Sequence, residues 1–157
     1  MLIRKAEKSD LRKILELQEL AYQSEAVLHD DFSIPPLHQT LEEMEREYDA
    51  GVFLVAVAVF GVIVGSVRAY VEDGTVYIGK LIVRSEVQSR GIGTKLMESI
   101  ERECAGERYE LFTGYKSVRT IRLYEHLGYV RFKEKKISEK LTLVFLEKRG
   151  EKHGACL

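Results

Sequence analysis

Apolar residues follow two different spacings along this 157-residue chain. In some segments they recur every three or four positions, which is typical of a helix with one buried face. In others they form short runs, many of them rich in valine, which favour β-strands. The predicted strands are residues 2–5, 52–60, 62–71, 76–83, 109–113, 129–136 and 141–147, and the predicted helices begin at Ser9 or Asp10, Thr40, Thr94 and Ser117.

Turn and capping residues mark the breaks between these elements. An Asp-Gly pair at residues 73–74 predicts a hairpin turn. Thr40 and Glu43 have the spacing of a capping box at the start of the second helix. Helical periodicity disappears between residues 24 and 39, and a Pro-Pro pair there excludes a continuous helix. This segment is therefore predicted to be irregular.

The element order is β-α-α-β-β-β-α-β-α-β-β, which predicts a mixed α/β fold. Strands that follow one another directly form antiparallel pairs most easily. The passage from strand 76–83 through a helix to strand 109–113 implies a locally parallel pair instead. Long apolar runs, rather than strict alternation, indicate a sheet with helices on both faces.

The composition is that of one ordinary globular domain, with 45% hydrophobic and 31% charged residues. We assign residues 1–148 to this domain and residues 149–157 to a polar, flexible tail. The net charge of −1 gives no electrostatic argument for binding nucleic acid or an anionic membrane. Residues 52–67 carry no charge, but they fall short of the roughly 20 residues that a membrane-spanning helix needs.

The two cysteines do not make a disulfide framework. Cys104 falls on the apolar face of the third predicted helix, where a buried thiol is expected, and Cys156 lies in the tail. We therefore expect a reducing, cytoplasmic location. The four histidines show no metal-ligand spacing, so no metal is expected.

The chain between strand 76–83 and the third helix is glycine-rich and reads Gln88-Ser89-Arg90-Gly91-Ile92-Gly93-Thr94. N–H groups in the first turn of a helix have no internal partner, and the helix dipole adds partial positive charge there. A strand that leads through glycines into a helix is therefore typical of a phosphate site. Gly91 and Gly93 carry no Cβ and allow a ligand to approach closely. The simpler alternative is a turn that needs glycine for backbone reasons only.

Two common phosphate loops do not fit this segment. The third glycine of a GxGxxG dinucleotide loop would fall on Leu96. Gly79-Lys80 is followed by Leu81, where a P-loop requires serine or threonine. The pattern that fits is Q/R-x-x-G-x-G/A, at residues 88–93.

This hexapeptide resembles the acyl-CoA pyrophosphate loop of the GNAT acyltransferase superfamily. Residues 77–88 resemble the strand that precedes the loop in that family, and residues 121–129 resemble its second signature, a tyrosine-bearing helix that ends in Gly-aromatic. The two motifs lie in the expected order, and the resemblance covers nearly the whole chain. It implies a GNAT acyl-CoA N-acyltransferase fold, with a mostly antiparallel central sheet, a splayed parallel pair and flanking helices.

The resemblance implies acetyl-CoA as the cosubstrate. The pantetheine arm would lie between the splayed strands, amides from Ser89 to Thr94 would hold the pyrophosphate, and Arg90 would add a charged contact. Ser117 stands where the family often has asparagine. Its side chain is shorter, which weakens the contact of this residue with the cofactor arm. The implied acetyl-CoA contacts are Leu81, Ile82, Val83, Gln88, Ser89, Arg90, Gly91, Ile92, Gly93, Thr94 and Ser117.

The resemblance also implies direct acetyl transfer to an amine in a ternary complex. A backbone N–H near Ile82 would polarise the thioester carbonyl. Tyr124 would donate a proton to the leaving thiolate. The alternative for Tyr124 is an aromatic core residue packed with Ile121 and Leu127.

The group that deprotonates the acceptor amine stays open. Tyr77 and Gly79 stand in the strand where many family members have glutamate. A chain of water molecules is one alternative to a side chain. The candidate side chains are Glu25, His29, Asp30, Asp31, Glu72 and Glu110.

The expected acceptor is a primary amine on a small molecule or a peptide. Residues 25–38 mix carboxylates with apolar side chains and are the expected determinant of acceptor choice, with preference for a cationic amine. The missing strand glutamate supports a rival function, a GNAT-like module that binds acyl-CoA without catalysis. A weaker rival is a nucleotide-binding domain. A homodimer is expected by analogy, through an open edge of the strand at residues 141–146.

Overall fold

A computed structural model describes residues 1–150 and 155–156. The helices are α1 (Leu11–His29), α2 (Leu41–Ala50), α3 (Ile92–Glu103) and α4 (Val118–His126). The strands are β1 (Leu2–Lys5), β2 (Val52–Val57), β3 (Ile63–Glu72), β4 (Thr75–Val83), β5 (Cys104–Ala105), β6 (Arg108–Gly114), β7 (Val130–Lys136), β8 (Thr142–Arg149) and β9 (Ala155–Cys156).

The main sheet has the strand order β1-β2-β3-β4-β6-β8-β7. Neighbouring strands in this sheet are antiparallel, except for β4 and β6, which are parallel. This parallel pair is short, because Thr75–Tyr77 pairs with Arg108–Glu110 and the register stops there. Beyond Tyr77 the two strands diverge, which opens a gap in the middle of the sheet. The predicted mixed α/β fold with one parallel pair is confirmed.

Helices cover both faces of this sheet, as the long apolar runs predict. On one face, α3 and α4 bury Leu96, Ile100 and Ile121 against the strands. On the other face, α1 and α2 bury Ile14 and Met44 in a second cluster. The gap between β4 and β6 therefore lies between two packed layers.

A β-bulge interrupts β4 close to the point where it leaves β6. Arg68 of β3 pairs with Gly79 and Ser66 pairs with Ile82, so β4 carries one extra residue. Lys80 lies in this bulge with φ of 52°, a left-handed conformation that is strained for a residue with a Cβ. Bulges of this kind re-aim side chains and recur beside active sites.

The first helix is longer than predicted and the third begins earlier. Helix α1 continues to His29, so the irregular segment starts only after it. Helix α3 begins at Ile92, with Gly91 as its N-cap, and the predicted start at Thr94 is wrong. The predicted capping box of α2 is confirmed, because Thr40 Oγ1 accepts from the Glu43 N–H and the Glu43 side chain accepts from the Thr40 N–H.

The strand at residues 142–149 is not an edge strand, contrary to the expectation for a dimer interface. β8 pairs with β6 on one side and with β7 on the other. The edge on this side of the sheet is β7, which carries Lys133, Lys135 and Lys136. Lysines on an edge strand oppose pairing with another sheet.

A second, two-stranded sheet joins the end of α3 to the end of the chain. Cys104 pairs with Cys156 and Ala105 with Ala155. Cys104 is fully buried, as predicted, but it is disulfide-bonded, so the expectation of a buried free thiol is wrong. The cysteines therefore give no support to the expected reducing compartment. The remainder of the predicted flexible tail, 151–154 and 157, lies outside the described residues.

Candidate active site

The glycine loop and the start of α3 line a cavity, and we call this part of the structure the cradle. Gly91 adopts φ of 80°, which glycine tolerates without strain, and its C=O accepts the first helical hydrogen bond from the Lys95 N–H. The N–H groups of Ile92, Gly93 and Thr94 lie in the first turn of α3, where no carbonyl of the helix can accept a hydrogen bond from them. This geometry fits a phosphate group, and it makes Thr94 a first-turn residue rather than the N-cap.

Gly93 serves helix packing as well as the loop. A Cβ at this position would lie 3.2 Å from Leu123 Cδ2 of α4, closer than side chains normally approach. The missing Cβ therefore lets α4 pack directly beside the cradle. Gly91, by contrast, has nothing within 4 Å of the Cβ position, and its role is conformational.

Arg119 of α4 reaches across to the cradle. Its Nη1 donates to Gln88 Oε1 at 3.0 Å, and its Nη2 donates to Ser89 Oγ. Arg119, Gln88 and Ser89 line a cavity of about 330 Å³ together with the start of α3. Arg90 is exposed at the loop surface and is not among the residues that line this cavity.

A second cavity, of about 610 Å³, extends from the cradle toward α1, and we call it the donor groove. Its wall includes Leu81, Ile82 and Val83 of β4, which the resemblance assigns to the pantetheine arm. Gln88 and Arg119 line both the groove and the cradle, so the two are continuous. The opposite wall comes from α1 and from the residues that open α4, among them Ser117.

A buried polar cluster joins α1 to the start of α4. Ser117 Oγ donates to Glu25 Oε2 at 2.5 Å, and the Lys116 N–H donates to His29 Nε2 at 3.3 Å. His29 is 2% exposed, and its Nδ1 lies 3.1 Å from the Glu25 carbonyl oxygen. Ser117 is the N-cap of α4 but makes no side-chain cap, because its hydroxyl is turned to Glu25.

Tyr124 lies behind this wall, in the core. Its side chain is 5% exposed and belongs to the same buried cluster as Ile121. Burial, and then the neighbouring Tyr22 and Glu25, raise the pKa of Tyr124 far above its usual value. Burial likewise raises the pKa of Tyr22 to about 12, although the Arg68 guanidinium opposes this. Tyr22 and Glu25 line the donor groove, so the groove and Tyr124 share these neighbours.

A third cavity, of about 580 Å³, occupies the fork between β4 and β6, and we call it the acceptor cavity. Its wall is largely aromatic and apolar, and it also carries four charged side chains. The aromatic residues are Phe53, Tyr70, Tyr77, Phe112 and Phe145, and the charged residues are Glu47, Arg68, Lys80 and Glu110.

Arg68 is held rigidly in the wall of the acceptor cavity. It is 7% exposed, and its guanidinium donates to Glu47 Oε2 and to Gln18 Oε1, each at 2.6 Å. The Phe53 ring lies 4.5 Å from the guanidinium carbon. Arg68 Nε is buried without a hydrogen-bond partner among the described residues.

Lys80 contributes the second cation of this cavity. Burial lowers the pKa of its ammonium, the Arg68 guanidinium lowers it further, and Glu47 opposes both effects. Within residues 1–150 and 155–156, no carboxylate lies within 4.0 Å of Lys80 Nζ. Glu110, on the other side of the fork, is bound to Arg108 Nη1 at 2.8 Å.

The candidate bases are widely separated in the structure. Of the six candidates, Glu110 lines the acceptor cavity, whereas Glu25 and His29 belong to the polar cluster beside the donor groove. Asp31 accepts from the Ser33 N–H and hydroxyl. Asp30 lies 3.7 Å from Lys140 and is exposed. Glu72 is exposed at the end of β3.

The sequence motifs do not identify three cationic side chains at this site. Arg68 and Lys80 interrupt strands that the sequence predicts to be covered on both faces, where a charge must be paired or functional. That interruption is a usable signal. Arg119 has no comparable signal, because its contact with the loop depends on how α4 packs against α3.

No group of three or more His, Cys, Asp or Glu side chains in 1–150 and 155–156 is arranged to hold a metal ion. No helix in this described part of the chain is long and apolar enough to cross a membrane.

A splayed sheet, a cradle at a helix start and a groove between them define an acyl-CoA type of transferase fold. The model of the acetyltransferase (GNAT) family matches residues 6–129. The chain therefore belongs to the acetyltransferase (GNAT) family, and the resemblance read from the two motifs is confirmed. A search of curated proteins gives no match.

Solved structures share this fold at low sequence identity. The yncA protein of Salmonella typhimurium, solved with its cofactor acetyl-CoA, is 24% identical with a TM-score of 0.73, covering 99% of this chain and 96% of that one. A phosphinothricin acetyltransferase of Sinorhizobium meliloti in complex with AcCoA is 18% identical with a TM-score of 0.73, covering 95% and 88%. The spermidine N-acetyltransferase SpeG of Vibrio cholerae is 15% identical with a TM-score of 0.69, covering 95% of each chain.

Proposed function

We propose that this chain is an acetyl-CoA-dependent N-acetyltransferase that moves the acetyl group to a primary amine by direct transfer in a ternary complex. One observation carries the proposal: two cavities meet along β4. The acceptor cavity borders β4 up to Lys80, and the donor groove borders it from Leu81 onward. A thioester in the groove and an amine in the cavity would therefore meet at the bulge.

The donor side of the proposal uses the groove and the cradle. Amides of the first turn of α3 would take the pyrophosphate, with charge from Arg119 and, at the surface, Arg90. Leu81, Ile82 and Val83 would pair with the pantetheine arm through main-chain groups. Ser117 offers the arm a weaker contact, because its hydroxyl proton is already donated to Glu25.

The chemistry needs a polarised carbonyl, a neutral amine and a proton for the thiolate. The bulge supports the first need, because it frees β4 backbone from regular pairing with β3 close to Ile82. Tyr124 is the proposed proton donor. A tyrosine phenol is protonated at neutral pH even at its ordinary pKa, as a proton donor requires. The acceptor would be a small-molecule or peptide amine, as phosphinothricin and spermidine are for the two transferases named above.

Replacement of Tyr124 by Phe tests this function. With acetyl-CoA and a panel of primary amines, we expect the wild-type chain to release CoA and the variant to lose about 100-fold in kcat, with acetyl-CoA affinity unchanged. Tyr129→Phe is the matched control. It removes a buried hydroxyl that donates to Glu101, 3.0 Å away, and should leave kcat unchanged.

Two outcomes would contradict the proposal in different ways. If Tyr124→Phe transfers acetyl at the wild-type rate, the tyrosine is a packing residue and not the acid. If the wild-type chain binds acetyl-CoA but acetylates none of the amines, the non-catalytic acyl-CoA-binding module becomes the better interpretation.

A further inference from the structure

One cation in the wall of the acceptor cavity has no carboxylate partner. Glu47 compensates Arg68 at 2.6 Å, and Arg108, outside the cavity lining, contacts both Glu110 at 2.8 Å and Glu147 at 2.7 Å. Lys80 is left without a carboxylate within 4.0 Å among the described residues. A largely buried ammonium without a counter-charge is costly, and a bound anion would remove that cost.

The neighbouring guanidinium has spare hydrogen-bonding capacity as well. Arg68 is 93% buried (7% exposed), and its Nε has no partner in the described part of the chain. Its fixed position, between Glu47 and Gln18, keeps a second positive charge close to Lys80. The deep end of the cavity is therefore built to attract an anionic group.

The rest of the wall has a different chemistry. The Tyr70 and Tyr77 rings stack at 5.1 Å between centroids, and the Phe112 and Phe145 rings lie 5.3 Å apart. Such a wall favours an apolar or aromatic body of the acceptor. A small polyamine has neither an apolar body for this wall nor an anionic group for Lys80.

Resting on the proposed transferase function, we propose that the acceptor is an amine that carries a carboxylate beside an apolar or aromatic body, and that Lys80 binds the carboxylate. The position of Lys80 supports this assignment, because the next residue, Leu81, already lines the donor groove. In an α-amino acid the amine is one carbon away from the carboxylate. A carboxylate held at Lys80 would therefore keep the amine beside the thioester.

The transfer step is balanced without any further reactant. The amine nitrogen forms a bond to the acetyl carbon as the carbon–sulfur bond of the thioester breaks. The leaving thiolate takes a proton from Tyr124. The proton released by the amine passes to solvent, and Tyr124 regains one proton from solvent, so the enzyme is regenerated. Lys80 takes no part in these bonds and acts as a specificity-determining residue.

Matched pairs of acceptors test the carboxylate site. L-phenylalanine and phenethylamine differ by the carboxylate alone, as do L-leucine and isoamylamine. We expect a kcat/KM preference of the wild-type chain for the amino acids of about tenfold or more, the worth of one charge-assisted hydrogen bond. Each variant is compared with the wild type by this ratio, so the different basicities of the two amines cancel.

Three substitutions separate the possible roles of Lys80. Lys80→Met should bring the ratio down by about tenfold through a loss for the amino acids alone. Lys80→Arg keeps the cation and should keep most of the preference. Lys135→Met, at an exposed position on β7, is the control and should change neither rate. Unchanged thermal stabilisation of Lys80→Met by acetyl-CoA would show that its fold and donor groove are intact.

Calorimetry on the CoA-loaded chain makes the carboxylate site and the transferase function separable. If phenylalanine binds in a Lys80-dependent way but is not acetylated, the carboxylate site stands and the transferase proposal falls. If neither amino acid binds or reacts better than its paired amine, the carboxylate site is overturned. Equal loss of activity toward both members of a pair in Lys80→Arg would also overturn it, because Lys80 would then act on the amine itself.

Discussion

At the scale of single residues, Arg119 is a cation beside the cradle that the glycine-loop motif does not include. The glycine loop supplies amides, but its own cation, Arg90, lies at the exposed surface of the loop. Arg119 lies over the loop, and Gln88 and Ser89 hold its guanidinium in place. A guanidinium fixed before binding loses less entropy when it meets a phosphate.

Substitution of the two arginines distinguishes their contributions to acetyl-CoA binding. We expect Arg119→Ala to raise the Kd for acetyl-CoA by about tenfold or more, the cost of losing charge-assisted hydrogen bonds to phosphate. Arg90→Ala should have a smaller effect, because Arg90 does not line the cavity at the cradle and Arg119 does. Acetyl-pantetheine lacks the pyrophosphate, so its binding should be unchanged in both variants. Equal effects of the two substitutions on acetyl-CoA would contradict this ranking.

At the scale of elements, α3 and α4 form one unit around the cradle. Helix α3 provides the first-turn amides, and α4 provides both Arg119 and the leucine that fills the space left by Gly93. The geometry of the cradle therefore depends on how closely the two helices approach. A side chain at residue 93 would separate them.

Gly93→Val tests this dependence. The added Cβ would lie 3.2 Å from Leu123 Cδ2, and overpacking of this kind costs about 1–3 kcal/mol. We expect a lower Tm and a weaker affinity for acetyl-CoA. Leu123→Ala in the same chain should restore part of both, measured as a coupling energy in a double-mutant cycle. Purely additive losses would mean that the cost of Gly93→Val does not come from contact with Leu123.

The sequence predicts the elements well where burial and periodicity agree. The segment at residues 24–29 is different, because α1 there buries Ala26 and His29 and half-buries Glu25, while Val27 and Leu28 are exposed. This inverted pattern hides a helix from any argument based on apolar spacing. The β4 bulge is equally hidden, because Lys80 adopts a conformation that a strand pattern does not encode.

The residues of the candidate site, like the elements of the fold, could be predicted from the sequence only in part. The predictions of a phosphate loop and of Tyr124 rest on local signals, because the glycine loop and the α4 motif are each contiguous in sequence. The acceptor cavity combines β2, β3, β4, β6, β8 and α2, and no contiguous motif represents it. Residues 25–38 are expected to choose the acceptor, and two of them, Glu25 and Leu28, line the donor groove. The prediction of a free edge at residues 141–146 was wrong for a related reason, because the order of strands in a sheet cannot be read from one sequence.

For the whole molecule, the main consequence of the fold is the division of the sheet by the fork between β4 and β6. The two halves are held together by the short parallel pair and by helices on both faces. A ligand that fills the donor groove would bridge β4, α1 and α4, and would therefore stabilise the whole fold. A ligand that reaches only the cradle would contact α3 and α4.

Thermal unfolding distinguishes these two kinds of ligand. At a concentration 100 times its Kd, acetyl-CoA should stabilise the chain by about 2.7 kcal/mol, which for a domain of this size raises the Tm by roughly 5–10 °C. ATP and NAD carry phosphates for the cradle but no pantetheine for the groove, so at equal concentration we expect a much smaller shift. Arg119→Ala should reduce the acetyl-CoA shift and leave the acetyl-pantetheine shift intact. An ATP shift as large as that of acetyl-CoA would favour the nucleotide-binding function, since the groove would then add nothing to the affinity.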